Sequence, residues 1–181
     1  MNRETILEQL RAHRPIDSRE AEMRAGIVAF VEANDRWYDR SLAIGHLTGS
    51  AWVVDETRTH ALLTHHRKLD LWVQLGGHTE GDADMLSAAW REAREESGLP
   101  DVAPLSEAIF DVDIHEIPAR RDEPAHFHYD IRYLFTADRR TPLTVSRESK
   151  SLAWAPLAEI SNYTQEESVL RMIRKTTAST L

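Results

Sequence analysis

The segment Gly76–Leu99, "GGHTEGDADMLSAAWREAREESGL", runs from a Gly-rich stretch into a helix, and its reading decides the rest of the chain. At about 100° per residue, Leu86, Ala89, Trp90 and Ala93 recur at i, i+3, i+4 and i+7, an apolar stripe expected to pack on a sheet. Gly98 suits a left-handed helix cap, and Pro100 prevents continuation. Glu92, Glu95 and Glu96 fall beside the stripe, so they are expected half-buried at the edge of the core. Like charges three and four residues apart repel by roughly 0.2–0.5 kcal/mol per pair, and burial adds to that cost. On its own, "REAREE" reads as a solvated acidic face with helix ion pairs. At the rim of a core, a carboxylate trio has another use. It can grip a hard divalent cation, which prefers oxygen ligands and fills its shell with phosphate oxygens. Arg91, four residues before Glu95, can hydrogen-bond a carboxylate and fix its rotamer. Asp82 and Asp84 flank the helix start, where negative charge suits the macrodipole.

Outward from this segment the hydrophobic period alternates between two and 3.6. Upstream, "SLAIGHLTGSAWVVD" (41–55) and "THALLTHHR" (59–67) read as strands joined by a turn, and "KLDLWVQLGGHTEGDAD" (68–84) as a short strand entering a Gly-rich loop. Downstream, "LSEAIFDVDIHEIPA" (105–119) and "HFHYDIRYLFTAD" (126–138) are two more strands. "LAWAPLAEI" (152–160) is a last strand running into a turn, and "TQEESVLRMIRKTT" (164–177) a closing helix. At the start, Ile6, Leu7 and Leu10 mark a helix over 3–13 ended by Pro15. A second, capped by Asp17 or Ser18, carries Met23, Ile27, Phe30 and Val31 on one side. Helices at both ends and in the middle of a set of strands predict a layered α/β sandwich. Residues 1–40 form a helical extension packed on a domain spanning 41–181. That extension covers the core, or else serves as a dimer contact or a substrate cover.

Composition narrows the function. A chain of 181 residues, 41% hydrophobic and 29% charged, has room for one ordinary core. The absence of cysteine excludes disulfides and thiolate zinc sites. No apolar run approaches the ~18 residues of a membrane span, and the N-terminus has no uninterrupted apolar segment, so a cytoplasmic location is the default. A net charge of −8 argues against bulk binding of nucleic acid. A small anionic substrate is compatible with that charge if a cation stands between protein and ligand.

In detail, the quoted segment resembles the Nudix box: Gly, five residues, Glu, seven residues, then Arg-Glu-apolar-x-Glu-Glu-x-Gly-apolar. Gly77 supplies the first position, and Arg91, Glu92, Ala93, Glu95, Glu96, Gly98 and Leu99 match in register. The box's first Glu falls at Ala83, with Asp82 and Asp84 as neighbours that could replace it. The resemblance extends over residues 45 to 160. It implies a Nudix-like α/β/α sandwich with a mixed sheet, and Mg²⁺- or Mn²⁺-dependent hydrolysis of a nucleoside diphosphate linked to another group. By position, Glu92, Glu95 and Glu96 would bind the metal with help from the Gly76 carbonyl, Glu92 could also act as base, and Arg91 would orient the cluster. Family members often draw the base from a later loop, and Glu148 in "SRESKSLAWAPL" is the candidate here; otherwise it is an exposed loop acid. The rival readings are a nucleotide-binding module without catalysis, for which Ala83 is the argument, and an RNA 5′-end hydrolase, which the charge disfavours. The isomerase branch acting on isoprenoid diphosphates relies on a cysteine that this chain lacks.

Nine histidines is a high count. His126, His128 and Asp130 alternate, so they share one face of a strand. They could ligate a transition metal, line the substrate pocket, or be satisfied by neighbours. His78, directly after the Gly pair, is placed to donate a hydrogen bond to phosphate. With His126 and His128 it completes the expected substrate-binding set. Of the adjacent His65 and His66, at most one can face the site. Trp72 and Trp90 are expected in the core rather than as stacking platforms.

Overall fold

The computed structural model describes residues 2–81, 84–119 and 124–178. Asp82 and Ala83, and with them the question of what replaces the first box Glu, lie outside the described residues. Two helices come first, α1 (Arg3–Ala12) and α2 (Ser18–Ala33). Each starts on a side-chain cap, Asn2 accepting from Thr5 N and Asp17 from Glu20 N. The strands β1 (Gly45–Asp55), β2 (His60–His66), β3 (Leu71–Val73) and β4 (Leu75–His78) follow, then helix α3 (Met85–Ser97). The chain continues through β5 (Ala103–Pro104), β6 (Asp111–Ile117), β7 (His126–Ala137) and β8 (Ser149–Pro156), a 3₁₀ turn over Leu157–Asn162, and helix α4 (Glu167–Ala178).

The eight strands among the described residues join one curled mixed sheet. Its spine is the parallel pair β1–β7, in register from Gly45↔Phe127 to Asp55↔Ala137. β1 splits its other edge between β4, paired over Thr48–Ala51, and β2, paired at Val54↔Ala61. β6 lies antiparallel to β7, while β3 and β8 flank β2.

Alternation along β1 sorts its side chains into two layers. Leu47, Ala51 and Val53 belong to a core shared with α1, α2 and α3. Trp52 and Val54 face the other way, into a second core with α4 and the 3₁₀ turn. The sandwich and mixed sheet expected from the sequence are therefore present, with both N-terminal helices. Towards the start of β1 the second face turns polar: His46, Thr48 and Ser50 are all buried.

Two local expectations are corrected. The Gly-rich stretch is strand through His78, not loop, because Gly76 and Gly77 let the chain lie close against Ser50 and Gly49 of β1. Trp90 is 40% exposed, its indole N–H donating to the Val102 carbonyl at 2.7 Å. The reason is the closeness of α3 to β1. A Cβ on Gly49 would lie 2.6 Å from the Met85 carbonyl oxygen, so the sheet-facing positions of α3 hold small side chains, Ala88, Ala89 and Ala93, and have no room for an indole. The two-residue β5 is too short to leave a periodic signal. No helix among the described residues is long and apolar enough to cross a membrane.

Candidate active site

The close seating of α3 fixes where its carboxylates point. Asp84 caps the helix, accepting from Leu86 N and Ser87 N, and Gly98 ends it in the left-handed conformation at φ 71°. Between these ends the three glutamates sit at three depths. Glu96 is buried and accepts a hydrogen bond from the Gly76 N–H at 2.9 Å. Glu92 has a side chain 14% exposed, and Glu95 lies outermost. All three had been expected at the same half-buried edge. Arg91 ties the set to the sheet. Its guanidinium donates to Glu92 at 2.8 Å, to Glu95 at 3.2 Å and to the His78 carbonyl at 2.7 Å.

β4 meets this cluster through two residues without side chains. A Cβ on Gly77 would fall 2.8 Å from the Glu92 carboxylate, and Gly76 has φ 153°, with Ser50 filling the space where its Cβ would be. The Gly pair thus lets acidic side chains press against strand backbone. Glu148, exposed just before β8, is near enough that its charge acts on both Glu92 and Glu96. Burial pushes the Glu92 carboxyl above its usual range; Arg91 opposes this, while Glu95 and Glu148 add to it. Burial raises Glu96 further, to about 8, against the Gly76 N–H and reinforced by Glu92 and Glu148. Four carboxylates in this cluster, Arg91 being the cation that pairs with two of them, leave an excess of negative charge. Their oxygen donors are those a hard divalent cation takes.

One peptide along, His78 points to the other face of β4, where the structure gathers the histidines. The β1–β7 register sets His46 beside His128, and the β6–β7 register sets His115 beside His128. His78 comes from β4, opposite Thr48. His126 Nε2 lies 3.3 Å from His128 Nε2. Burial, and after it the neighbouring His78 and His126, lower the His46 imidazole to about 4. His128 is depressed more strongly by burial and then by His115, His78, His46 and His126. Both are therefore neutral at physiological pH.

Sequence reasoning did not single out His46. Its signal was present: His46, Thr48 and Ser50 alternate in an otherwise apolar strand. Asp130, grouped earlier with His126 and His128, is occupied by Thr48, Ser50, Gln74 and Arg132, at 2.9, 2.7, 3.2 and 2.8 Å. Through Arg132 it belongs to a buried ion network with Asp111, Asp113 and Arg171. His65 bonds Asp70 at 2.8 Å and stacks on Trp72, which is only partly buried.

The NUDIX domain family model matches residues 46–175. A C. elegans Ap4A hydrolase has the same fold at TM-score 0.59 and 15% identity, over 74% of this chain and 96% of that one. A hydrolase of the NUDIX family from Clostridium perfringens matches at TM-score 0.54 and 26% identity, over 74% and 97%. The NUDIX domain of Shewanella oneidensis NrtR, solved with ADP ribose, matches at TM-score 0.52 and 18% identity, over 84% and 98%. Among curated proteins no sequence match is found.

Proposed function

Because this chain belongs to the Nudix family, we propose that it hydrolyses the pyrophosphate bond of a nucleoside diphosphate linked to another group. The observation that carries this reading is the convergence of Glu92 and Glu96 on the Gly76–Gly77 backbone, with Glu148 near enough for its charge to act on both and Glu96 buried and pushed up to about 8. Such a set is costly when empty of cations and favourable around one.

Glu92, Glu95 and Glu96, with the Gly76 carbonyl, are the residues that would hold Mg²⁺ or Mn²⁺. Bound there, the cation supplies charge relief to the phosphoryl oxygens. The chain's own groups do the rest. Arg91 locks Glu92 and Glu95 into one arrangement and fastens them to β4. Glu148, exposed and facing the cluster, is the general base that takes a proton from the attacking water. Glu92 is the alternative base, its carboxyl already raised by burial. His78 of β4 and His126 and His128 of β7, on the other face of the sheet, border the ground on which the rest of the substrate lies.

The test is a product-resolved screen of purified protein with Mg²⁺ and with Mn²⁺. The panel spans sugar nucleotides, dinucleoside polyphosphates, modified triphosphates and coenzymes. Ap4A and ADP-ribose are included because proteins of this fold act on or bind them. Metal-dependent turnover is expected, abolished by chelator and reduced at least ~10²-fold in Glu95→Gln and Glu96→Gln. Undiminished rates in Glu95→Gln would end the metal assignment. Nucleotide binding without any product would instead mark a binding module.

A further inference from the structure

We propose that His46, His78 and His128 bind a transition-metal ion of the Zn²⁺ class, at a site separate from the glutamate cluster. The donor atoms of these three imidazoles lie within 4.8 Å of one another. Their ring centroids form a nearly even triangle, with sides of 5.0, 4.9 and 5.2 Å. Tetrahedral coordination at Zn–N of about 2.0–2.1 Å sets nitrogens ~3.3 Å apart. Small χ rotations within a rotamer well close the difference.

A second observation points the same way. His46 is 2% exposed, and neither of its ring nitrogens has a hydrogen-bond partner among the described residues. A buried imidazole left unbonded is unfavourable and rare. Ligation gives one nitrogen its partner without requiring a donor or acceptor that the surrounding strands lack.

Donor chemistry separates the two sites. Imidazole suits zinc and its neighbours in the first transition row, whereas carboxylate and carbonyl suit magnesium and manganese. Supporting groups are in place around the triad. His126 Nε2 stands 3.3 Å from His128 Nε2, close to the spacing of two ligands on one ion. His115 packs edge-on beside His128, its own Nδ1 facing Asp113 at 3.3 Å, so the ring bordering this ligand is itself held in place. The Arg91 guanidinium holds the His78 carbonyl and so fixes the strand that carries His78. Three protein ligands leave a fourth position, which His126 or a substrate oxygen can occupy from the side where His78, His126 and His128 are part-exposed. The ligands come from three strands, so the ion would also pin the ends of β1, β4 and β7 together.

The test uses the untagged full-length protein. Elemental analysis and calorimetric titration with Zn²⁺ alone should give one tightly held equivalent per chain, unaffected by Glu95→Gln. Co²⁺ in its place should show the visible bands of tetrahedral nitrogen coordination. His78→Ala and His128→Ala should each weaken Zn²⁺ binding by at least ~10²-fold, more than loss of an outer partner does. His46→Ala should do the same. Because His46 is buried, the two part-exposed positions keep the test valid if that variant fails to fold. Absence of stoichiometric Zn²⁺, or binding lost in Glu95→Gln but kept in His78→Ala and His128→Ala, overturns the site. None of these readouts depends on turnover, so this inference can fail while the hydrolase reading stands, and the reverse.

Discussion

Glu96 is where sequence, packing and chemistry meet most sharply. Its folded carboxyl, at about 8, lies above the ordinary 4.5 of the unfolded chain. Between those values the folded metal-free protein holds a proton that the unfolded chain has released. Its stabilisation is complete below pH 4.5 and is lost as pH rises through 8, at up to ~1.4 kcal/mol per pH unit. The melting temperature of chelator-treated protein should therefore fall from pH 5 to pH 8, and Glu96→Gln should flatten that fall. A cation bound to the ionised carboxylate works against the loss. At 100 times its dissociation constant, Mg²⁺ or Mn²⁺ should restore about 2.7 kcal/mol at pH 8. Thermal melts with and without metal check both. A melting curve indifferent to pH and to metal would mean that Glu96 is no ligand.

Among the elements, the attachment of α2 and α4 turns on another glutamate. Glu20, fully buried on α2, accepts from His13 Nε2 at 2.8 Å and from the Ile16 N–H at 2.7 Å, and pairs with Lys175 of α4. Lys175 also donates to the Phe110 carbonyl at 2.8 Å, and His13 Nδ1 bonds the Ile109 carbonyl at 3.0 Å. This knot holds both terminal regions to the segment entering β6. Burial pushes the Glu20 carboxyl up, but the hydrogen bonds from His13, Lys175 and Ile16 outweigh it and bring it down to about 2. Here the sign is opposite to that of Glu96. The stabilisation is present above pH 4.5 and lost as pH falls through 2. Glu20→Gln should cost roughly 3–5 kcal/mol at pH 7, the usual result of stranding a buried partner. It should also remove the acid-side slope between pH 4.5 and 2, read by urea titration at several pH values. Unchanged stability at pH 7 would show the knot to be neutral.

For the molecule as a unit, α1 and α2 share one core with the sheet. Ile6, Leu7, Leu10, Ile27, Phe30 and Val31 are buried together with Leu47, Val112 and Tyr133. At ~1.5–3 kcal/mol for each buried side chain, removing these six forfeits on the order of 10 kcal/mol, as much as the whole net stability of a domain, about 5–15 kcal/mol. A chain of residues 41–181 should therefore not fold cooperatively by itself, as urea denaturation followed by circular dichroism would show. A sharp transition in the truncated chain would make the helices a dispensable cover instead.

The sequence by itself determined the helices, the strands of ordinary length and the acidic set on α3, because those are written in local periodicity and in one motif of fixed spacing. Gly98 marked the end of α3 through cap chemistry, and Asp82 and Asp84 its start through the macrodipole, which are local as well. The depth of each carboxylate was not local. Glu96 is buried and Glu95 exposed because Gly49 and three alanines draw α3 onto β1, a contact between segments some 40 residues apart in sequence. That contact also turned Trp90 outward and made the Gly pair a strand. The histidine cluster is the plainest case. His46, His78 and His128 lie on three strands, and only the parallel register of β1 on β7, with β4 on the far edge of β1, brings them together. No spacing along the chain encodes a distance that strand pairing sets.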